Sequence, residues 1–456
     1  MEKNMDNINL NLNLNQLEGK IILKDNIDYE ECRLSWNRAI DAYPKAIVYC
    51  FNKEEVSKNI KWCRENKVEF RIRSGAHNYE GYSTGNDLIV LDVSQMKKID
   101  LDEENKKVTL EGGVTNREAC KILCSKGYAF PGGGCPTVGV AGFTLGGGWG
   151  YSSRFLGLAC DSLIEVEFVD YKGDIIIANE HINKDLFWAS KGCGGGNFGV
   201  VVSMTFKLKE KVENVTLIDL EYFNLESDRQ VTVVKTYQDM FKNLDNKVNF
   251  KMAIYNSKKK GRGIKLIGLY YGEKEEAHNI LRPLIDLCYD ETLNLTYTSI
   301  FEANRIIQDS HADYEKYKST GRFIYNDYSE EEIKEIIKIL DNAANGAVYA
   351  AVTFYGLGGA VINKTKEDGA FYYRDAKFIM GFQSVFEEDK YKKENIEWIL
   401  EKFKYIKSIT KGSFINFPLV ELEDYKHEYY GDNYEKLKFI KTKYDPNDVF
   451  AFEQSI

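Results

Sequence analysis

Glycine is concentrated in a few short stretches of this chain, and these stretches constrain the fold more than any other feature. The chain has 456 residues and 36 glycines, seven of which fall within residues 134–150. Residues 71–81 and 191–199 are glycine-rich as well. Glycine loses more conformational entropy on folding than other residues, so such density suits a backbone that must turn tightly or approach a neighbour closely. The pattern predicts a site built from loop backbone around a flat ligand.

Composition narrows the classes of protein that the chain can belong to. Hydrophobic residues are 43% and charged residues 29%, which is typical of a folded globular protein. The net charge of −9 is unfavourable for nucleic acid and for anionic membranes. No apolar run approaches the ~18 residues of a membrane helix. Nine cysteines, an odd number, argue against a disulfide framework, and we interpret Cys120 and Cys124 as packing residues and predict no metal site.

The N-terminal residues 1–30 lack the continuous apolar core of a secretory signal. We therefore expect a leader there, either frayed or forming a short edge strand, and a cytoplasmic protein.

Hydrophobic periodicity predicts a change of architecture near residue 210. Before it, the pattern predicts a strand over residues 45–51, a helix over 53–66 and a strand over 68–73. A capping box that opens a further helix is predicted at Thr115 and Glu118. After it, long aromatic strands alternate with amphipathic helices such as 329–342 and 393–409, which predicts an antiparallel sheet backed by helices. We predict a first domain of residues 31–210 and 411–456 and a second of residues 211–410.

The first glycine stretch directly follows a predicted strand. There, Ser74-Gly75-Ala76 can turn successive N–H groups toward an anion, and Arg71 and Arg73 add positive charge. The third stretch contains a formal GxGxxG, but a helix precedes it and a strand follows, the reverse of a dinucleotide-binding unit. The phosphate loop GxxxxGK[ST] does not occur.

His77 and Cys135 each lie inside a glycine loop and not on a periodic apolar face. From spacing alone, His77 could be a surface residue, Cys135 could be a packing residue, or both could be functional. Nucleophilic hydrolysis by a Cys-His or Ser-His-Asp set is conceivable. However, no GxSxG elbow occurs, and glycine runs of this density suit a planar cofactor better.

Four ordered blocks resemble the berberine-bridge-enzyme-like FAD-linked oxidases. They are RSGAHNYEGYSTG (73–85), the stretch from GGCPTVGVAG to EVEFVD (133–170), DLFWASKGCGGGNFGVVVSMTFKL (185–208) and the tail YYGDNYEKLKFIKTKYDPNDVFAFEQSI (429–456). This resemblance implies a two-domain α+β fold of the vanillyl-alcohol-oxidase type. In it, a substrate domain of antiparallel sheet backed by helices covers the flavin.

The resemblance also implies the cofactor and the residues that hold it. The FAD-binding candidates are His77, Cys135, Arg73, Ser74, Gly75, Ala76, Asn78, Gly134, Thr137, Val138, Gly139, Gly142, Gly146, Gly147 and Gly150. In family members that have both attachment residues, the histidine joins the flavin 8α-methyl and the cysteine joins C6. Since His77 and Cys135 occupy those positions, we expect FAD attached at both. Val138 resembles the small valine of the oxidase type, in which O2 reaches the reduced flavin.

The chain departs from the family at the usual catalytic base. Many members carry Tyr-x-Asn-Tyr before the C-terminal helix, and here the segment is Phe414-Ile-Asn-Phe417, without either hydroxyl. Phe417 therefore cannot accept a proton. The candidate replacements are Glu421, Gln383, Tyr151 and Tyr79. Ala76 also replaces the second glycine of the family's RSGGH loop, which is costly only if that residue needs a positive φ.

The leading hypothesis is an oxidase that takes a hydride from a carbon bearing a hydroxyl or amine and passes electrons to O2, giving H2O2. Its partners would be a small-molecule substrate and O2, and it would be a monomer or a small homo-oligomer. Two alternatives stay open within the resemblance: a dehydrogenase with another acceptor, and a flavin-binding protein with degraded catalysis. A carbohydrate-binding module without flavin is disfavoured by the loop matches.

Overall fold

The fold is taken from a computed structural model that describes residues 13–287 and 291–456. Three sheets organise the chain. The first has the strand order β1-β2-β4-β3, in which β2, β4 and β3 are parallel and β1 is an antiparallel edge strand. Its strands are β1 (Lys20–Leu23), β2 (Ala46–Tyr49), β3 (Phe70–Arg73) and β4 (Ile89–Asp92).

The predicted leader spans residues 1–30, and the structure describes residues 13–30 of it. Residues 1–12 of the expected leader lie outside the described residues. Among the described residues, β1 lies at the edge of the first sheet, where Ile22 is buried and pairs with Ile47 of β2. Of the two forms expected for residues 1–30, the short edge strand is the one that residues 20–23 adopt.

The second sheet is antiparallel with the order β5-β6-β9-β7-β8. Its strands are β5 (Ile99–Asp102), β6 (Lys107–Glu111), β7 (Leu163–Val169), β8 (Ile175–Asn179) and β9 (Val200–Lys207). The helices of this half are α1 (Tyr29–Cys32), α2 (Lys53–Glu65), α3 (Asn116–Leu123), α4 (Val140–Leu145), α5 (Ser153–Leu156) and α6 (Lys184–Ala189). The predicted capping box of Thr115 and Glu118 is confirmed at the start of α3.

The third sheet is antiparallel with the order β13-β10-β12-β11-β15-β16-β14-β17. Its strands are β10 (Asn214–Phe223), β11 (Val248–Ser257), β12 (Gly261–Tyr270), β13 (Glu291–Ser299), β14 (Lys316–Ile324), β15 (Ala347–Gly356), β16 (Phe378–Phe386) and β17 (Lys411–Ser413). The helices that follow in the chain are α7 (Ser227–Phe241), α8 (Lys274–Ile285), α9 (Ile300–Asp309), α10 (Glu330–Asp341), α11 (Lys392–Ser408), α12 (Tyr425–Tyr430) and α13 (Tyr434–Tyr444).

One face of the third sheet is covered by amphipathic helices. Ile333, Ile336 and Ile337 of α10 are buried against it, together with Val352 and Phe354 of β15. Burying such aliphatic side chains contributes about 1.5–3 kcal/mol each. The opposite face of the sheet points toward the glycine loops of the first half. The two-domain α+β architecture with an antiparallel sheet backed by helices is therefore as predicted.

The C-terminal segment returns to the first half of the chain. The ammonium of Lys441 on α13 donates to the carbonyl of Asn197 (2.8 Å) and pairs with Asp445 (2.8 Å). The amide of Ile456 donates to Asn197 Oδ1 (2.9 Å). These buried contacts fix the tail beside the third glycine stretch. No helix of residues 13–287 and 291–456 is both long and apolar enough to span a bilayer.

Candidate active site

A cavity of about 760 Å³ lies between the glycine loops and the uncovered face of the third sheet. Five groups of residues line it: 74–79 after β3, 133–135 with 138–145 around α4, 194–199, the cavity face of the third sheet, and the C-terminal residues 415–418 and 450–454. The third glycine stretch, to which we assigned no cofactor role, contributes Gly194, Gly195 and Gly196. A volume of this size suits a cofactor or a drug-sized ligand.

The first two glycine stretches touch backbone to backbone. A Cβ added to Gly75 would lie 2.3 Å from the amide nitrogen of Gly139, and one added to Gly139 would lie 2.4 Å from Ser74 Oγ. Neither position can hold a side chain without moving the loops apart. This contact brings the loop of His77 next to the loop of Cys135.

The glycines around α4 serve two different purposes. Gly142 lines the cavity and a Cβ there would meet no protein atom within 4 Å, so its hydrogen faces the ligand space. Gly146, Gly147 and Gly150 do not line the cavity. A Cβ at each would collide with Asn416, with Phe371 and with the Gly132 carbonyl, respectively. These three glycines permit close packing of the chain on itself, so the proposed ligand contact does not extend to them.

His77 is held by a hydrogen bond and by ring stacking. Its Nε2 lies 2.7 Å from Thr137 Oγ1, and its ring stacks on Trp36 with centroids 5.0 Å apart. Burial and, to a smaller extent, the nearby His311 together lower the pKa of His77 to about 3. The imidazole is therefore neutral at physiological pH and carries one free lone pair.

Cys135 lies beside the same hydroxyl. Its Sγ is 4.0 Å from Thr137 Oγ1, and its carbonyl accepts a hydrogen bond from Asn116 Nδ2 (3.2 Å). Burial raises the pKa of the Cys135 thiol, while the amide and hydroxyl of Thr137 and the amide of Val138 act in the opposite direction. Burial outweighs these contacts, so the thiol form of Cys135 is favoured, and the contacts with Thr137 and Val138 only reduce the cost of forming the thiolate.

The remaining cofactor candidates divide by position. The cavity is lined by Ser74, Gly75, Ala76, Asn78, Gly134, Val138 and Gly139. Thr137 is exposed and lies outside this lining set, although it contacts two of the lining side chains. Ala76 has φ +56°, so the strained alternative holds for this alanine.

Arg73 lies outside the set that lines the cavity. Its guanidinium forms a buried ion pair with Asp92 on the neighbouring strand. Arg71, two residues earlier, lines the cavity instead. Side chains alternate along β3, so Arg71 and Arg73 lie on the same face of the strand. Only Arg73 lies directly opposite Asp92 and pairs with it.

Three of the four candidate bases line the cavity and one does not. Gln383, Tyr151 and Tyr79 line the cavity. Glu421 does not: its carboxylate pairs with Lys318 (2.8 Å), which also binds Glu80 (2.8 Å). Glu421 is therefore removed from the candidate bases, because its charge is already compensated outside the cavity.

Tyr355 is a cavity residue that the sequence analysis missed. Its ring lies 5.6 Å from the ring of Phe417, centroid to centroid. Gly321 and Gly381 face each other on adjacent strands, and their missing side chains leave a hollow that holds Phe417 and Tyr355. Tyr355 thus brings a phenol ring next to Phe417, which has no hydroxyl.

Lys251 is the direct cross-strand neighbour of Tyr355. Its Nζ lies 5.8 Å from the ring centre of Tyr355 and 5.8 Å from that of Tyr151. Burial raises the pKa of Tyr355, and the positive charge of Lys251 opposes this rise. In the same cavity, burial raises the pKa of Glu315 and lowers that of His311 to about 4. The alternating pattern of β11 and β15 could have indicated that Lys251 and Tyr355 share a face, but not that this face lines a cavity.

A family model described as FAD binding domain matches residues 44–179, and one described as berberine and berberine like matches residues 413–456. An uncharacterized FAD-linked oxidoreductase of Bacillus subtilis, YgaK, is 35% identical over 446 residues, covering 97% of each chain. Reticuline oxidase of Eschscholzia californica is 25% identical, covering 91% of this chain and 83% of its own.

Solved structures share the fold. A chitooligosaccharide oxidase superposes with a TM-score of 0.87 at 21% identity, covering 97% of this chain and 98% of its own. A glucooligosaccharide oxidase from Acremonium strictum, described as carrying 6-S-cysteinyl, 8α-N1-histidyl FAD, has a TM-score of 0.87 at 23% identity and covers 96% of each chain. The fold and cavity thus define a flavin-dependent oxidoreductase. The chain belongs to the berberine-bridge-enzyme-like family of FAD-linked oxidases.

The residues of the cavity fit FAD. Arg71 Nε, Tyr82 Oη and Asn116 Oδ1 are buried in its wall and have no hydrogen-bond partner among the described residues. A ligand with phosphate, hydroxyl and ring nitrogen groups would satisfy such atoms, whose burial alone is costly. Gly142 and Gly195 leave the wall open to close approach. Polar atoms and bare backbone together are what a large, flat, partly anionic cofactor requires.

Proposed function

We propose that this chain is an oxidase whose FAD is attached through both His77 and Cys135. The observation that carries the proposal is the convergence of these two cavity-lining side chains on the Thr137 hydroxyl. An imidazole with a free lone pair and a thiol are the two nucleophiles that such links use. The glucooligosaccharide oxidase described above, which has the same fold, carries links of both kinds.

The substrate would bind between the flavin space and the third sheet. Tyr79, Tyr349, Tyr355 and Phe417 line this side of the cavity. Aromatic rings of this kind pack on sugar faces and on flat rings. We therefore assign the substrate to hydroxyl-bearing sugars or secondary metabolites, with amines as the alternative.

Oxidation of an alcohol requires removal of a hydride and a proton. FAD, when bound, accepts the hydride and passes the electrons to O2, which gives H2O2. The proton is the task of the protein, and Tyr355 is placed to accept it in the position left by Phe417. Lys251 would favour the phenolate, while Tyr79, Tyr151 and Gln383 would orient the substrate hydroxyl. The small side chain of Val138 in the cavity wall would leave a path for O2.

The test of this proposal is the intact mass and visible absorbance of the denatured protein. Wild type should be yellow and heavier by one FAD. The single variants His77→Ala and Cys135→Ala should each retain the adduct, and the double variant should lose it. A wild-type protein at apoprotein mass after folding with FAD would refute the covalent proposal.

A second measurement separates an oxidase from a dehydrogenase. The wild-type flavin, reduced anaerobically with dithionite, is mixed with air-saturated buffer. Complete reoxidation within seconds, with H2O2 detected by a peroxidase-coupled dye, supports an oxidase. Reoxidation over many minutes would instead support a dehydrogenase with another acceptor.

A panel of oligosaccharides and phenolic alcohols, followed by the same dye, then tests for turnover. Full reoxidation in air with no turnover on any panel member would favour a flavin-binding protein with degraded catalysis.

A further inference from the structure

Thr137 lies between the two nucleophilic side chains of the cavity. Its hydroxyl oxygen is 2.7 Å from His77 Nε2 and 4.0 Å from Cys135 Sγ. Its position is fixed from both sides, because the amides of Asn116 and Arg117 donate to the flanking carbonyls of Val138 and Pro136 (2.9 and 3.0 Å). The backbone on both sides of Thr137 is therefore held in place independently of any ligand.

The hydrogen bond at Nε2 bears on the tautomer of His77. A neutral imidazole carries one N–H, and the partner of one ring nitrogen decides which nitrogen keeps it. If Nε2–H donates to Thr137 Oγ1, then Nδ1 holds the lone pair. Trp36 fixes the ring plane by stacking, so the direction of that lone pair is fixed as well. The hydroxyl hydrogen of Thr137 then remains available for the sulfur of Cys135.

We propose that Thr137 is the positioning residue for both flavin attachments. Its hydroxyl accepts a hydrogen bond from Nε2–H of His77, which leaves Nδ1 as the nucleophile, and it donates to Cys135 Sγ, which stabilises the thiolate. This inference rests on the proposed function. Thr137 forms no covalent bond to the flavin, and the inference gives it control of both attachments.

The chemistry of each attachment balances with O2 as oxidant. At His77, a bond forms between Nδ1 and the 8α carbon, and one 8α C–H bond and the imidazole N–H bond break. At Cys135, a bond forms between Sγ and C6, and the C6–H and S–H bonds break. Each attachment leaves two electrons on the flavin ring and releases two protons. O2 takes up both electrons and both protons, which gives one H2O2 per link.

The test compares Thr137→Val with Thr137→Ser. Valine keeps the branched shape and removes the hydroxyl, whereas serine keeps the hydroxyl. Apoprotein from riboflavin-limited cells is mixed with FAD in air, and covalent flavin is followed by in-gel fluorescence after denaturation. Loss of one such hydrogen bond predicts that Thr137→Val attaches flavin about tenfold or more slowly. Thr137→Ser should stay close to wild type.

Repeating the series in Cys135→Ala and His77→Ala backgrounds reports each link separately, and Thr137→Val should slow both. Reversible FAD binding, measured by flavin fluorescence in the His77→Ala/Cys135→Ala background, should fall much less than the attachment rate. The inference is overturned if Thr137→Val attaches flavin at the wild-type rate. It is also overturned if valine and serine fail equally, or if reversible binding falls in parallel. Absence of covalent flavin in wild type itself would refute the proposed function directly, before any variant is compared.

Discussion

Gly142→Ala is expected to change stability in opposite directions with and without FAD. Gly142 lies inside α4 (Val140–Leu145), and an added Cβ meets no protein atom within 4 Å. Replacing a glycine in a helix by alanine stabilises by about 1 kcal/mol. With an unfolding entropy of about 2.1 cal/mol/K per residue and 456 residues, the flavin-free protein should melt about 1 °C higher.

With FAD present, the methyl group of the variant would occupy ligand space. A ligand at 100 times its Kd stabilises the protein by about 2.7 kcal/mol, and a variant that binds poorly forfeits most of this gain. The variant should therefore melt higher than its parent without FAD and lower with it. The comparison is made by differential scanning fluorimetry in the His77→Ala/Cys135→Ala background, where FAD is expected to bind reversibly.

Gly150→Ala is the matched control. Its Cβ would lie 2.1 Å from the Gly132 carbonyl and away from the cavity, so it should lower the melting temperature both with and without FAD. If Gly142→Ala bound FAD at wild-type occupancy and kept its stability gain in the complex, the inference that Gly142 faces the cofactor would be wrong.

Four further predictions follow from the site. Ala76→Gly should raise stability by about 0.5 kcal/mol, since relief of the left-handed backbone outweighs the entropy cost of glycine, and an unchanged urea midpoint would contradict this. Because burial lowers the pKa values of His77 and His311 to about 3 and 4, the unfolded chain binds these protons first. Stability of the flavin-free protein should therefore fall as pH drops from about 6.5 to 4, and His77→Gln should flatten the slope measured by urea denaturation. Lys318→Met leaves two carboxylates without their shared cation and should cost about 3 kcal/mol, seen as a lower urea midpoint; a wild-type midpoint would show that the pair contributes nothing. Once a substrate is found, Tyr355→Phe should lower kcat about 100-fold or more, while a loss below tenfold would exclude it as the base.

The sequence could predict local structure because local rules decide it. The capping box of Thr115 follows from residue types over four positions, whereas the contact between the first two glycine stretches joins Gly75 and Gly139 and was not predicted. The location of Glu421 could not be predicted, because a carboxylate four residues from Phe417 is drawn away by Lys318, a cation 103 residues earlier in the chain. Tyr355 was missed for a related reason: both faces of β15 carry apolar and aromatic residues, so periodicity does not distinguish the face that lines the cavity.

The buried contacts of Lys441, which hold the C-terminal segment beside the third glycine stretch, have a consequence for biosynthesis. Residues 415–418 and 450–454 belong to the cavity wall, which also contains residues 74–79 from near the start of the chain. Domains tend to fold as units while the ribosome still extends the chain, but this cavity is complete only after its last wall segment has been translated. Until then, the glycine loops lack part of their enclosure. The cavity can therefore enclose FAD fully only after residues 450–454 have been translated.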